Sequence, residues 1–289
     1  MIKKLLWLFL LLPIYTQAQI SGRLLDSETQ EPIPYAQITV AHPKTQIYTT
    51  ENGHFSFTQL DKNTSYVLHI DALGYFNKEM NSSELNHQQD IYLDLNEEVL
   101  PELYIIPENA KTRIRTYGQT REGSGKIQGG YSGRYLEEIK LTSEQSDITD
   151  NTGITVNTKG LSKVLSAHLH IAGNSYKKAS IKIQLYDIAN EKPIIHAPII
   201  FNIVDKQTGW FKINLEDENI YIDSNIKKVA MMLDLVAIES YNKREPASLN
   251  INIIFPSFNT MAIGKNDNDK LIKAPFSFPL YLTVETYSW

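Results

Sequence analysis

Beyond its first residues this 289-residue chain holds no window with a sustained apolar period of 3.6 residues. That absence removes helical bundles and layered α/β folds from the start. In their place stand short runs rich in Val, Ile, Thr, Tyr and Phe, which alternate with polar residues and stop at turn formers. Residues 35–40, 46–50, 54–58, 65–71 and 89–95 read this way, and so do 161–172, 179–187, 196–204, 210–215, 249–255 and 281–288. Alternation sends successive side chains to opposite faces of a sheet, one into a core and one into water. In residues 179–187, Ile181, Ile183 and Leu185 are expected in a core, with Lys182, Gln184 and Tyr186 in water. Residues 227–236 depart from the pattern, because Val229-Ala230-Met231-Met232-Leu233 does not alternate and suits a strand buried on both faces. The chain is expected to be all-β, and its length suits two sandwiches rather than one.

Residues 1–18 read as a signal peptide. Lys3 and Lys4 supply a positive start, residues 5–14 an apolar run, and Thr16-Gln17-Ala18 the small residues of a cleavage site before Gln19. The run is shorter than the roughly 20 residues of a membrane-spanning helix, so no transmembrane helix is expected in the mature chain. The chain contains no cysteine. Lipid attachment at cysteine, structural disulfides, thiolate metal sites and cysteine nucleophiles are thereby excluded. Export without disulfides points to a Gram-negative envelope, with the protein periplasmic, outer-membrane-associated or secreted. A formal charge of −5 makes the chain a poor general binder of nucleic acid, and no nucleic-acid partner is expected.

A compositional break falls at residues 107–133. Six glycines (Gly118, Gly123, Gly125, Gly129, Gly130, Gly133) and five basic residues (Lys111, Arg113, Arg115, Arg121, Lys126) gather there, with almost no aliphatic side chains. Such a segment has little apolar surface to offset the entropy of ordering, and it predicts a Gly-rich basic linker. The expected layout is a signal peptide at 1–18, a first sandwich at 19–106, the linker at 107–133 and a second sandwich at 134–289.

The first sandwich carries a series of recognisable elements. Ile20-Ser21-Gly22-Arg23-Leu24-Leu25-Asp26 precedes Glu31-Pro32-Ile33-Pro34-Tyr35-Ala36 and a strand from Gln37. Thr49-Thr50-Glu51-Asn52-Gly53-His54-Phe55-Ser56-Phe57 follows, and then Ala72-Leu73-Gly74-Tyr75. The prolines hold an extended approach, Asn52-Gly53 suits a turn, and Phe55 and Phe57 share one face. In order and spacing this series resembles the carboxypeptidase-regulatory-like (transthyretin-like) domain found at the N-terminus of many bacterial outer-membrane receptors and surface proteins. The resemblance implies a seven-stranded β-sandwich that docks or folds and does no chemistry. The segments Ile183-Gln184-Leu185-Tyr186-Asp187 and Thr208-Gly209-Trp210-Phe211 look like parts of a jelly-roll binding module in the second half.

No GxSxG elbow, phosphate loop or dinucleotide fingerprint occurs. No cofactor and no catalytic residue is expected. His168 and His170 lie two apart on a strand and project from one face, which could begin a metal site but supplies only two ligands. The chain holds 16 tyrosines and 3 tryptophans, and an aromatic face can stack on a sugar ring. Trp210, Tyr176, Tyr186 and Tyr241 are the candidate ligand contacts, at strand ends or loops of the second half, with Tyr221 beside them. The expected role is a non-catalytic binding or scaffolding protein whose partner is a glycan or an outer-membrane protein. Two alternatives stay open: a hydrolase acting on envelope or extracellular glycan through the second sandwich, and a small outer-membrane barrel suggested by the alternating, aromatic-ended residues 281–289.

Overall fold

The structure, a computed structural model, describes residues 20–61, 63–85, 89–96, 104–123, 128–133, 152–190, 192–195, 197–241, 247–257, 260–265 and 271–289. The expected signal peptide lies outside the described residues. Packing divides the chain into two units, one reaching to Leu93 and one beginning at Asp94, with Asp71–Phe76 grouped in the second. Among the described residues, no helix is long and apolar enough to cross a membrane.

Among the described residues the first unit has seven strands: β1 (Ile20–Asp26), β2 (Gln37–Val40), β3 (Thr45–Tyr48), β4 (His54–Phe57), β5 (Val67–Asp71), β6 (Lys78–Asn81) and β7 (Gln89–Leu93). They form one sheet in the order β4-β1-β7 and another in the order β3-β2-β5-β6. Each sheet buries one face, with Leu24, Phe57 and Leu93 from the first and Ile38, Leu68 and Ile70 from the second almost wholly enclosed. Phe55 stands directly opposite Gly22 across the β1–β4 pair, and its ring meets that of Phe57 edge-on at 6.3 Å. Gly53 takes a positive φ of 73° in the turn before β4, where a side chain would press to 2.5 Å from the Leu24 carbonyl oxygen. Only glycine fits both conditions. Asp26 closes β1 by accepting the backbone N–H groups of Glu28 and Thr29 at 2.9 and 2.7 Å. Tyr75, after the Gly74 turn, is half-buried.

The second unit is built from β8 (Lys111–Gly118), β9 (Gln128–Gly133), β10 (Thr152–Asn157), β11 (Ser162–Ile171), β12 (Gly173–Asn174), β13 (Lys178–Asp187), β14 (Lys192–Pro193), β15 (Ile199–Val204), β16 (Gly209–Asn214), β17 (Tyr221–Ile222), β18 (Lys228–Glu239), β19 (Ala247–Asn252), β20 (Met261–Lys265), β21 (Leu271–Ala274) and β22 (Leu280–Ser288). A 5-stranded sheet runs β16-β11-β22-β8, with β17 also on β11. A 7-stranded sheet runs β14-β13-β18-β10-β20-β21, with β15 also on β13. Taken in chain order, β8, β10, β11, β13, β15, β16, β18 and β22 are the principal strands. Their spatial order is first-eighth-third-sixth in one sheet and second-seventh-fourth-fifth in the other. That interleaving is the double Greek key of a jelly roll, as the sequence suggested. Val164, Ala167, Leu169, Leu282 and Val284 of the smaller sheet pack with Ile154, Ile181, Ile183, Met231 and Leu233 of the larger in one core.

Three expectations are corrected here. Residues 107–133 are not simply a linker, because Lys111–Gly118 pairs with β22 along its whole length and Gln128–Gly133 pairs with β19. Tyr117 enters the core, while the charged residues of β8 suit an edge strand, which they protect against further pairing. The barrel reading fails as well: among the described residues neither sheet closes on itself, and β22 is an interior strand of an open sheet. Finally, the outer side of β13 is not in water. Lys182 is 5% exposed, and its ammonium lies 3.6 Å from the Asp234 carboxylate directly opposite on β18. An enclosed charge needs such a partner. The non-alternating run on β18 is buried on both faces as expected, with Val229, Met231 and Leu233 in the main core and Ala230 and Met232 on the other side with Ile263.

Candidate functional site

The outward face of the 5-stranded sheet follows from the register. Leu169 and Leu282 point into the core, so their neighbours in sequence point away from it. His168 of β11 stands opposite both Lys212 of β16 and Tyr281 of β22, and His170 stands opposite Trp210. Residues directly paired across strands share a face. The two histidines, the tryptophan and Tyr281 are therefore assembled on one surface, on the side of the sheet away from its core.

Their rings form a connected cluster. His168 and Tyr281 stack face to face, with centroids 4.2 Å apart and planes 6° from parallel. Trp210 meets His170 edge-on at 5.2 Å and Tyr281 edge-on at 5.2 Å. Because β11 separates β16 from β22, the indole must cross β11 to reach Tyr281. It thus lies over the sheet, half-buried, with the remainder of its surface facing solvent. Its N–H donates to Glu122 Oε1 at 3.1 Å, while the other oxygen of that carboxylate is 3.9 Å from His170 Nε2. The Asn252 side-chain amide donates to the Glu122 carbonyl oxygen at 2.9 Å and fixes the loop that carries this residue. Gly118, opposite Tyr281, has φ of 127°, and a side chain there would collide with the Leu280 carbonyl oxygen at 2.4 Å. Glycine lets β8 end close against Tyr281.

The electrostatics of the cluster are mild. Burial, and after it the nearby Lys212 charge, lower the His168 pKa from its ordinary value of 6.5, so the ring is neutral at pH 7. His168 Nε2 lies 2.9 Å from Ser166 Oγ and 3.2 Å from Thr283 Oγ1. His170 Nδ1 is enclosed and has no hydrogen-bond partner among the described residues. Among the described residues, no group of three His, Cys, Asp or Glu side chains could hold a metal ion.

The remaining candidates lie elsewhere. Tyr176, expected at a ligand surface, is wholly buried in the core between the sheets and is corrected to a packing residue. Its place in the turn before β13 made it look exposed, but the chain turns inward there. Tyr186 lies on the 7-stranded sheet, packed with Ala230, Met232 and Ile263. Its hydroxyl donates to Gln184 Oε1 at 2.9 Å, and burial pushes its pKa well above the usual tyrosine range. Tyr241 is 54% exposed beyond β18, donates to Asp205 Oδ1 at 3.1 Å and lies under the Lys206 ammonium at 5.0 Å. Neither belongs to the Trp210 cluster. Tyr281 and Glu122 went unnoticed in the sequence: the first lay in a strand read for its barrel-like alternation, the second in the supposed linker. The alternation of Tyr281, Thr283, Glu285 and Tyr287 was the available signal.

No curated protein matches the chain. Among solved structures it is similar to a clostridial cysteine protease after propeptide cleavage, at 9% identity over 92% of this chain and 70% of the other, with a TM-score of 0.33. It is also similar to a chain from Bacteroides uniformis named for carbohydrate binding, at 10% identity over 78% of this chain and 99% of the other, with a TM-score of 0.20. Scores this low carry no argument about fold or activity, and the jelly roll rests on its own strand order. The first unit is another matter. Its seven strands, its Asn52-Gly53 turn and its paired phenylalanines fall within residues 20–103, which match the family model of the CarboxypepD_reg-like domain.

Proposed function

We propose that the protein is an exported, non-catalytic binding protein of the bacterial envelope, and that its jelly roll binds a glycan on the outward face of the 5-stranded sheet. One observation carries this reading. Trp210 lies across an open sheet face, pinned by Glu122 and backed by Tyr281 and His170, with solvent over its remaining surface. A sugar offers a C–H face to such a ring and hydroxyls to the polar groups around it, and Glu122, Lys212 and Thr283 supply both acceptors and donors. The regulatory-type first domain fits a binding role as well. Export rests on the composition of residues 1–18.

The test is a glycan-array screen of the chain beginning at Gln19, run beside Trp210→Ala. The expected result is a confined set of bound glycans, lost in the variant. A blank array, or equal binding by both proteins, would overturn the reading. Cell fractionation with N-terminal sequencing checks export, with Gln19 as the expected first residue of the mature chain.

A further inference from the structure

The Trp210 cluster is not alone on its sheet face. A β-bulge between Val164 and Ser166 resets the register of β11, and beyond it Lys163 stands opposite both Tyr221 of β17 and Glu285 of β22. Tyr287, two residues on, shares their face, and its hydroxyl donates to Glu285 Oε2 at 2.6 Å. Tyr104 packs against Tyr221 with ring centroids 5.1 Å apart. A second group of aromatic rings, all half-buried, therefore occupies the other end of the same surface.

The two groups are joined by β22. From Tyr281 to Glu285 is four residues and to Tyr287 six, which at about 3.3 Å per residue gives a separation of about 13–20 Å. Between them the face presents the hydroxyls of Thr283 and of Thr116 on β8, with the exposed Ile114 opposite Glu285 at the second group. Among the described residues paired on these strands, together with Glu122, the charges balance: Lys163 and Lys212 stand against Glu122 and Glu285. Arg113 and Arg115 of β8 pair with Thr286 and Val284 and so belong to the opposite side of the sheet. Rings at both ends, hydroxyls between and no net charge describe a surface for a long, uncharged, hydroxyl-rich ligand. A peptide would seek an unpaired strand edge or an apolar groove, and a nucleic acid or acidic polymer would need excess cation.

We propose that the ligand is a linear, neutral polysaccharide lying along β22 and touching both aromatic groups, so that the protein binds chain interiors rather than single sugars. This rests on the sugar-binding reading above. The test is calorimetry of the chain from Gln19 with β-1,4-linked gluco-, manno- and xylo-oligosaccharides, each from the monosaccharide to the hexasaccharide, and with polygalacturonate. In at least one neutral series, affinity should rise about tenfold as the oligomer becomes long enough to span both groups, the ratio that about 1.4 kcal/mol of added contact provides. Tyr221→Ala and, independently, Tyr287→Ala should remove that gain while leaving the shortest binding oligomer unaffected. Tyr221→Phe should keep it. Trp210→Ala should remove binding at every length. Binding that depends on Trp210 but not on length, or a preference for polygalacturonate, overturns the extended site and leaves the sugar reading standing. Absence of binding in all three neutral series overturns the extended neutral site, and a blank glycan array or full binding by Trp210→Ala overturns both.

Discussion

The two sheets of the jelly roll share one core but treat their far sides in opposite ways. In the 5-stranded sheet β22 alternates strictly and β11 does so from Ala167 onward, so their outward positions hold His168, His170, Tyr281 and Thr283, partly open to water. In the 7-stranded sheet β18 has no alternation, and its outward Ala230, Met232 and Asp234 are as buried as its core-facing neighbours. Half-polar strands leave a surface on which exposed rings can be held in fixed positions. Doubly apolar strands use their second face for burial, and even the Lys182–Asp234 pair there is enclosed. A ligand surface on this unit belongs to the first kind of sheet.

Equivalent substitutions on the two outward faces should therefore differ sharply. Met232→Asp would place a carboxylate among Ala230 and Ile263, and is expected to cost at least about 3 kcal/mol or prevent folding. Thr283→Asp on the open sheet should stay within about 1 kcal/mol in chemical denaturation. Similar losses for both would erase the distinction. Within β11 alone, Leu169→Ala should cost about 2–5 kcal/mol and lower the melting temperature by roughly 10 °C, whereas its neighbour His168→Ala should cost far less.

Trp210 sharpens the comparison further, because it is the largest side chain on the open face and is absent from the core. Trp210→Ala should shift the melting temperature by only a few degrees, about 1 kcal/mol of lost ring contacts, while removing ligand binding. A loss of the size seen when a core tryptophan is deleted, about 3–5 kcal/mol, would move it into the framework.

The smallest effect concerns pH. The His168 pKa is lowered in the folded protein, chiefly by burial, so the unfolded chain takes up its proton first as pH falls. The stability contributed by keeping this ring neutral is complete above about pH 6.5 and is lost as pH drops from there through the lowered folded value. His168→Gln should lose less stability than the parent between pH 7 and pH 5 in matched urea titrations. An identical loss in both proteins would show that the ring is not held neutral by its surroundings.

Much of this was legible in the sequence, for physical reasons that differ by region. The first unit could be read because its turns and aromatic pairs are local, set by Asn52-Gly53 and by Phe55 and Phe57 two residues apart. In the second unit, alternation alone placed His168 with His170 on one face, and the run at Val229–Leu233 foretold a doubly buried strand. What escaped was every feature created by pairing distant segments. Glu122 reaches Trp210 across 88 positions of sequence, and Tyr281 meets His168 only because β22 inserts between β8 and β11. Composition also misled when averaged over too long a window, since the glycines of residues 107–133 hid the eight-residue strand β8. Tyr176 and Lys182 failed for a related reason: whether a polar-looking position meets water depends on what the rest of the chain packs over it.

The central claim is that a glycan covers the open face of Trp210. The chain's three tryptophans are Trp7, Trp210 and Trp289, so a Trp289→Phe protein beginning at Gln19 carries Trp210 as its single tryptophan. Its fluorescence can be quenched with acrylamide while a bound neutral oligosaccharide is titrated, with Trp210→Phe, reporting Trp289 alone, as the matched control. The expected result is saturable protection of Trp210 at the same oligosaccharide concentration that saturates binding, and no protection of Trp289. Unchanged quenching of Trp210 at saturating ligand would place the ligand elsewhere and contradict the assignment of the 5-stranded sheet as the binding face.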